Sequence, residues 1–240
     1  MRNDIYKNRQ HDPRINYRGT NASRIENFTD AVFSIAITLL IFNLSNPNSF
    51  ADLLTFTKTL PAFLISIGFL IMIWNEHVRF SEIYTLNDSK LAVLNTLFIA
   101  LVIFYVYPLR FLTLFLTNFF FNTDIAVSIQ YNQVPYLMIY YGAIAFALYF
   151  VLYLFYKQAD KLKNELNFNE YEVFYTHSQK RRMFIMFIVP LLSIVLSIIV
   201  NQFSYILASI IGGLTYWLYP PLIISWHKKF NDKSKSFEHV

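Results

Sequence analysis

Residues 24–42 read RIENFTDAVFSIAITLLIF: an arginine, a glutamate and an aspartate lead straight into an apolar run with a threonine in its middle. Further along, WNEHVRF at 74–80 carries Trp74 and His77, and Asn95 sits inside a third apolar run. Polar groups at such places are costly unless they pair with one another or with backbone. Two chemistries suit them: a clamp between helices, or a station that holds a proton or an ion. The mid-helix Thr38 admits another, a hydroxyl in the wall of a passage.

The elements that must position these groups follow from composition. The 240 residues are 55% hydrophobic, 19% aromatic and only 15% charged, with a mean hydropathy of +0.38. That is too apolar for one soluble core and marks an integral membrane protein. There is no cysteine, so disulfides, thiolate metal sites and cysteine nucleophiles are excluded. The first 23 residues are polar and basic, with no short apolar core ahead of the first run, so they are expected to stay in the mature chain.

Six continuous apolar segments, at about 24–45, 53–77, 90–117, 134–157, 182–200 and 204–227, each approach the roughly 20 residues a helix needs to cross a bilayer. The runs do not alternate as barrel strands would, so the expected class is an all-α membrane protein. A basic tail, 1–23, would precede the membrane unit, 24–227, and a second tail, 228–240, a solvated basic end, would follow it. NLSNPNS, NTD with Asn132 and Gln133, and NQFS break the runs, the last being short enough to make the fifth and sixth segments an antiparallel hairpin.

Lysine and arginine set the orientation. Six fall at or before Arg24, two between the second and third segments, six between the fourth and fifth, and four after His227. These are 18 of the 20, and the alternate links hold none. Cytoplasmic loops carry such an excess, so both termini are expected in the cytoplasm. Lys58 and Arg110 fall near outer span ends, where long side chains snorkel. The net charge of +5 reads as this bias rather than as a nucleic-acid surface, since no aromatic platform interleaves with the cations.

In that orientation Arg24, Asp30, Trp74, His77 and Asn95 share one depth, at the cytoplasmic ends of three helices. Either the clamp or the ion station would use them. Helical stepping from Phe28 gives Ala31, Ile35, Thr38, Phe42 and Ser45 on one face. That face could pack on other helices through its small residues, or line a pore in which Ile35 and Phe42 form collars around a hydroxyl ring. A second stripe, Asn27, Asp30, Ser34, Ile37 and Ile41, is the competing face.

Arg24, Phe28, Thr29, Asp30, Thr38, Leu39 and Leu40 together resemble the RxxxFSD…TLL signature of the transmembrane protein 175 family of potassium channels, with threonine for serine at Thr29. Trp74, His77 and Phe80 resemble the family's second-helix W-x-x-H element, and Asn95 with Pro108 its third-helix pattern. The motifs cover the first half of the chain. The resemblance implies a homotetramer in the cell membrane that passes monovalent cations, potassium preferred, with no cofactor or bound metal. It implies a pore lined by the first helix, with Ile35 and Phe42 as constrictions, Thr38 as the selectivity layer and Ala31 and Ser45 also facing the pore. Arg24, Phe28, Thr29, Asp30, Trp74, His77 and Asn95 would form the network bracing that helix. No TVGYG-like filter is present, in keeping with this.

Other classes fit less well. The five histidines make no HExxH pair, GxSxG is absent, and Glu76 and His77, being adjacent, point about 100° apart on a helix. No segment carries arginine at every third position, so voltage sensing is not expected. A secondary transporter, the principal alternative, would show paired repeats and helices broken at mid-membrane, whereas most prolines here lie near segment ends. A proton-permeable cation channel and a non-conducting scaffold complete the alternatives.

Overall fold

A computed structural model describes residues 12–19, 23–42, 48–85, 88–122 and 129–237 as helices joined by short turns, without a strand among the described residues. Helix α1 (Arg24–Phe42) opens on a reciprocal cap: Glu26 N donates to Ser23 Oγ at 3.2 Å, and Ser23 N donates to the Glu26 carboxylate at 2.7 Å. The S-x-x-E spacing satisfies two N–H groups that a helix start leaves unpaired. Glu26 therefore serves the helix start, which its position in the sequence left open.

The apolar stretch 53–77 becomes two helices. A short α2 (Phe50–Lys58) is capped by Ser49, and after Thr59 the chain enters α3 (Leu60–Tyr84) with Pro61 in its first turn, where a missing N–H costs nothing. Helix α4 (Ser89–Phe121) is capped by the Asp88 carboxylate and ends on Asn122 at φ 47°, a left-handed conformation asparagine tolerates. Helix α5 (Val134–Lys161) follows one 3₁₀ turn, and α6 (Glu170–Asn201) begins well before the apolar stretch 182–200, on a second reciprocal cap between Asn169 and Glu172. Gln202, Phe203 and Ser204 alone separate it from α7 (Tyr205–Thr215), and the two pack together as NQFS predicts. A 3₁₀ turn joins α7 to α8 (Tyr219–Lys235).

Among the described residues five helical stretches are long and apolar enough to cross a membrane: Leu60–Tyr84, Ser89–Phe115, Tyr131–Lys161, Glu170–Asn201 and Tyr205–Lys235. Many apolar side chains on them stay exposed, including Ile198, Ile206, Ile210 and Leu214, as lipid-facing surfaces require. The core is aromatic. Phe80 and Tyr84 of α3, Phe98 of α4, and Phe155 and Tyr156 of α5 are fully buried, with Phe80 4.8 Å from Tyr84 and 5.0 Å from Phe155 between ring centroids.

The two ends of the chain depart from solvated tails. Helix α8 runs past His227 to Lys235, its last turn carrying Lys233 and Lys235 where cations suit the helix dipole. Phe237 beyond it packs on Tyr171 and Phe174 at 5.5 and 5.4 Å. Residues 12–19 lie across the helix ends, with Ile15 buried. Arg18 grips both oxygens of Glu172 at 2.7 and 3.0 Å, and Arg14 donates to the Ser234 carbonyl and the Tyr171 hydroxyl, both at 3.0 Å. Gly19 N donates to the Glu82 carbonyl, so close that a Cβ on Gly19 would lie 2.0 Å from the Ser81 carbonyl oxygen.

Hydrogen bonds from the Arg14 side chain hold the Asp12 carboxyl below its usual range, against the opposing pull of burial, and the Tyr171 hydroxyl adds to them. A carboxyl depressed on folding stabilises above its ordinary pKa of about 3.9, and that contribution is lost as pH falls through the folded value. Residues 12–19 are therefore expected to loosen only in acid below about pH 4. Amide exchange of this segment against pH measures it, and protection that vanished already near neutrality would contradict it.

Candidate functional site

Helix α1 has two unlike faces. Thr29, Val32, Phe33, Ala36 and Leu40 are buried against α3 and α4. On the other side Phe28 is 62% and Ile35 56% exposed, and Ala31 and Thr38 are exposed with them. The small Ala36, with no exposed surface, lets α1 approach its neighbours closely.

The buried face carries a hydrogen-bond chain through three helices. Thr29 Oγ1 gives its proton to the Ile25 carbonyl at 2.9 Å, which leaves a lone pair for Asn95 Nδ2, also at 2.9 Å. Asn95 Oδ1 must then face His77, 2.7 Å from Nε2, so the proton of the neutral ring is on Nε2. The ring stacks on Phe98 at 5.2 Å and meets Phe155 edge-on at 6.0 Å; Nδ1 is buried without a partner among the described residues. Close by, Trp74 Nε1 donates to Asp30 Oδ1 at 2.8 Å. Thr29, Asp30, Trp74, His77 and Asn95 are thus brought together. As arranged, they pin α1 to α3 and α4.

Asn95 bridges both neighbours, so Asn95→Ala leaves the His77 donor buried and unmatched. A loss of about 1–3 kcal/mol is expected. The double change His77→Phe with Asn95→Leu removes donor and acceptor together and should cost less. Melting of purified protein checks this; equal midpoints for wild type and Asn95→Ala would contradict it.

Arg24 is not in this chain. It is exposed, beside Phe28 at the edge of a cleft of about 290 Å³ that Asn95 and Thr96 also line, and makes no side-chain hydrogen bond among the described residues. Its expected partners are engaged elsewhere: Trp74 with Asp30, and Asn95 with His77 and Thr29. On the outward face Thr38 Oγ1 donates to the Ser34 carbonyl at 2.8 Å, leaving its lone pairs outward, and Ser34 Oγ donates to the Asp30 carbonyl at 3.0 Å. The competing stripe is partly covered: Asp30 is taken by Trp74 and Ile37 is half-buried, while Asn27 and Ser34 stay exposed. The Phe42 and Ile41 side chains and the whole of Ser45 lie outside the described residues.

Two further links fall outside the motifs. Glu76 pairs with Arg182 of α6, whose guanidinium lies 5.5 Å from the Trp226 ring centroid, and Asp160 pairs with Lys180 and His177. The sequence carries a hint of the first, an acid and a base at the ends of two apolar runs. Among the described residues no group of three or more histidine and carboxylate side chains could hold a metal ion.

Comparison with known proteins converges on one family. That described as endosomal/lysosomal potassium channel TMEM175 matches residues 24–105, the stretch that holds α1, its clamp and the first half of α4. A potassium channel of Marivirga tractuosa is 35% identical over 232 residues, covering 93% of this chain and 94% of the relative. A potassium channel of Chamaesiphon minutus is 30% identical over 107 residues, 41% of this chain and 53% of its own length. The crystal structure of the potassium channel MtTMEM175, as a T38A variant in complex with a nanobody–MBP fusion protein, superposes with a TM-score of 0.83 at 33% identity, over 92% of this chain and 99% of that one. These relatives are channels and not enzymes, and the similarity to the Marivirga channel and to MtTMEM175 extends over nearly the whole of this chain. The chain belongs to the TMEM175 family of potassium channels.

Proposed function

We propose that the chain is one subunit of a homotetrameric, potassium-selective leak channel in the cell membrane, with α1 around the central axis and both termini in the cytoplasm. The observation that carries the reading is the exposed face of α1: Phe28, Ala31, Ile35 and Thr38 stand free in the single chain while the opposite face is clamped. A helix pinned on one side and apolar with one hydroxyl on the other suits a pore wall shared among copies. In this reading α1 joins the five longer apolar stretches as a sixth span, so that 24–227 forms the channel unit with 1–23 and 228–240 on its cytoplasmic side; the lysine and arginine distribution supports that sidedness. Ile35 forms a hydrophobic constriction, Thr38 the hydroxyl layer above it, Phe42 a second collar, and Ala31 and Ser45 complete the wall. Arg24, exposed on the same side as Phe28, finds its acceptors in the neighbouring subunit.

The test is potassium flux in liposomes holding only this protein. A channel gives fast passive flux that follows the gradient. Saturating, ion-coupled flux would make it a transporter, and none at all would make it a scaffold.

A further inference from the structure

Between α6 and α8, away from α1, lies a cleft of about 630 Å³ with two different ends. Cations line one side of its length: Lys233 of α8 lies beside Phe174 at one end, Lys229 stands one turn further along α8, and Arg181 stands on α6 one turn before Ile185. Among the described residues none of the three is ion-paired; Lys233 instead lies 5.5 Å from the Phe174 ring centroid. Glu170 is the one carboxylate among the lining residues, and His177, which also lines the cleft, is engaged by Asp160 at 2.9 Å. The other end is apolar, formed by Ile185 and Leu222 where both helices enter their hydrophobic stretches. An aromatic stack runs alongside the cations, with Phe230 5.5 Å from Phe174 and 5.6 Å from Trp226. Trp226 is fixed by its donation to the Ser178 carbonyl at 2.9 Å, an amphipathic ring of the kind that favours the membrane–water boundary.

We propose that this cleft is a binding site for an anionic phospholipid, whose phosphate meets Arg181, Lys229 and Lys233 and whose acyl chain lies along Ile185 and Leu222. A free anion would engage only the cations and leave the apolar end wet; an amphiphile satisfies both. Basic clefts between membrane helices on the cytoplasmic side are sites where such headgroups bind. Assignment to the inner leaflet rests on the orientation proposed above; binding itself does not.

The experiment titrates purified detergent-solubilised protein with a fluorescent phosphatidylglycerol, with phosphatidylcholine and inorganic phosphate as competitors. Binding is expected to resist both competitors. The triple change Arg181→Gln, Lys229→Gln and Lys233→Gln should weaken it by roughly 100-fold, on the order of five-fold per cation. Lys229→Gln alone, an exposed change that leaves the fold intact, should weaken it about five-fold. Removing Lys157, Lys161 and Lys163 instead should change little. Displacement by phosphate would make the cleft a free-anion site, displacement by phosphatidylcholine would remove charge recognition, and equal weakening by the two triple changes would reduce the effect to general surface charge; each overturns the proposal. The readout needs neither flux nor sidedness, so it stands or fails apart from the channel reading.

Discussion

Ile35→Asn is expected to raise potassium flux through reconstituted protein by on the order of tenfold, the gain from lowering the permeation barrier by about 1.4 kcal/mol. A ring of isoleucine side chains too narrow for hydrated ions excludes water, and an ion crossing it loses hydration with nothing in exchange. Asparagine has nearly the same reach but offers an amide at each subunit, so water and ions stay. Ile35 is more than half exposed in the single chain, and the clamp of Thr29, Asp30, Trp74, His77 and Asn95 lies on the other side of the helix. The substitution should therefore leave folding intact. An unchanged flux would place the constriction elsewhere, at Phe42 or on the stripe of Asn27 and Ser34.

Thr38→Ala is expected to bring potassium and sodium permeabilities close together while the channel still assembles and conducts. Sodium holds its water more tightly, so a collar that forces partial dehydration penalises it more, provided an oxygen nearby offsets part of the loss for potassium. Thr38 stands three residues beyond Ile35, about 4.5 Å along the axis, and its proton is already committed to the Ser34 carbonyl. Its lone pairs are what remain to face a cation. Thr38→Ser keeps them and should stay near wild type. Bi-ionic reversal potentials measure the ratio, and an alanine variant as selective as the parent would leave the hydrophobic collar as sole discriminator.

How far these features were legible varied with their physics. The hairpin at 202–204 and the membrane-length helices follow from local rules that one chain carries in its own spacing, whereas the S-x-x-E cap at Ser23 and Glu26 obeys such a rule but went unread. The meeting of Asp30 with Trp74, and of His77 with Asn95, was accessible from depth alone, because polar groups in apolar runs have few places to pair. Arg24 broke that logic: sequence brings it to the same depth but not to the same side of α1. The anchoring of residues 12–19 was hidden because that segment has no periodicity, and Ile15 and Tyr17 among arginines read as an ordinary solvated tail. Helix α8 was cut short at His227 for a related reason, since its last turns are held by the dipole and by contacts of Arg14 with Ser234, neither of which shows in hydropathy.

The central claim is that the Phe28–Ala31–Ile35–Thr38 face surrounds the conduction path, and the chain contains no cysteine to confuse a thiol probe. Ile35→Cys should therefore yield protein whose potassium flux is blocked by a small cationic thiol reagent, faster when potassium is absent and does not compete. Ile210→Cys, on an exposed apolar face of α7, should be insensitive to the same reagent. If Ile35→Cys conducted unchanged after full labelling while Ser34→Cys or Asn27→Cys was blocked, the pore would run along the other stripe and the account of α1 would be contradicted.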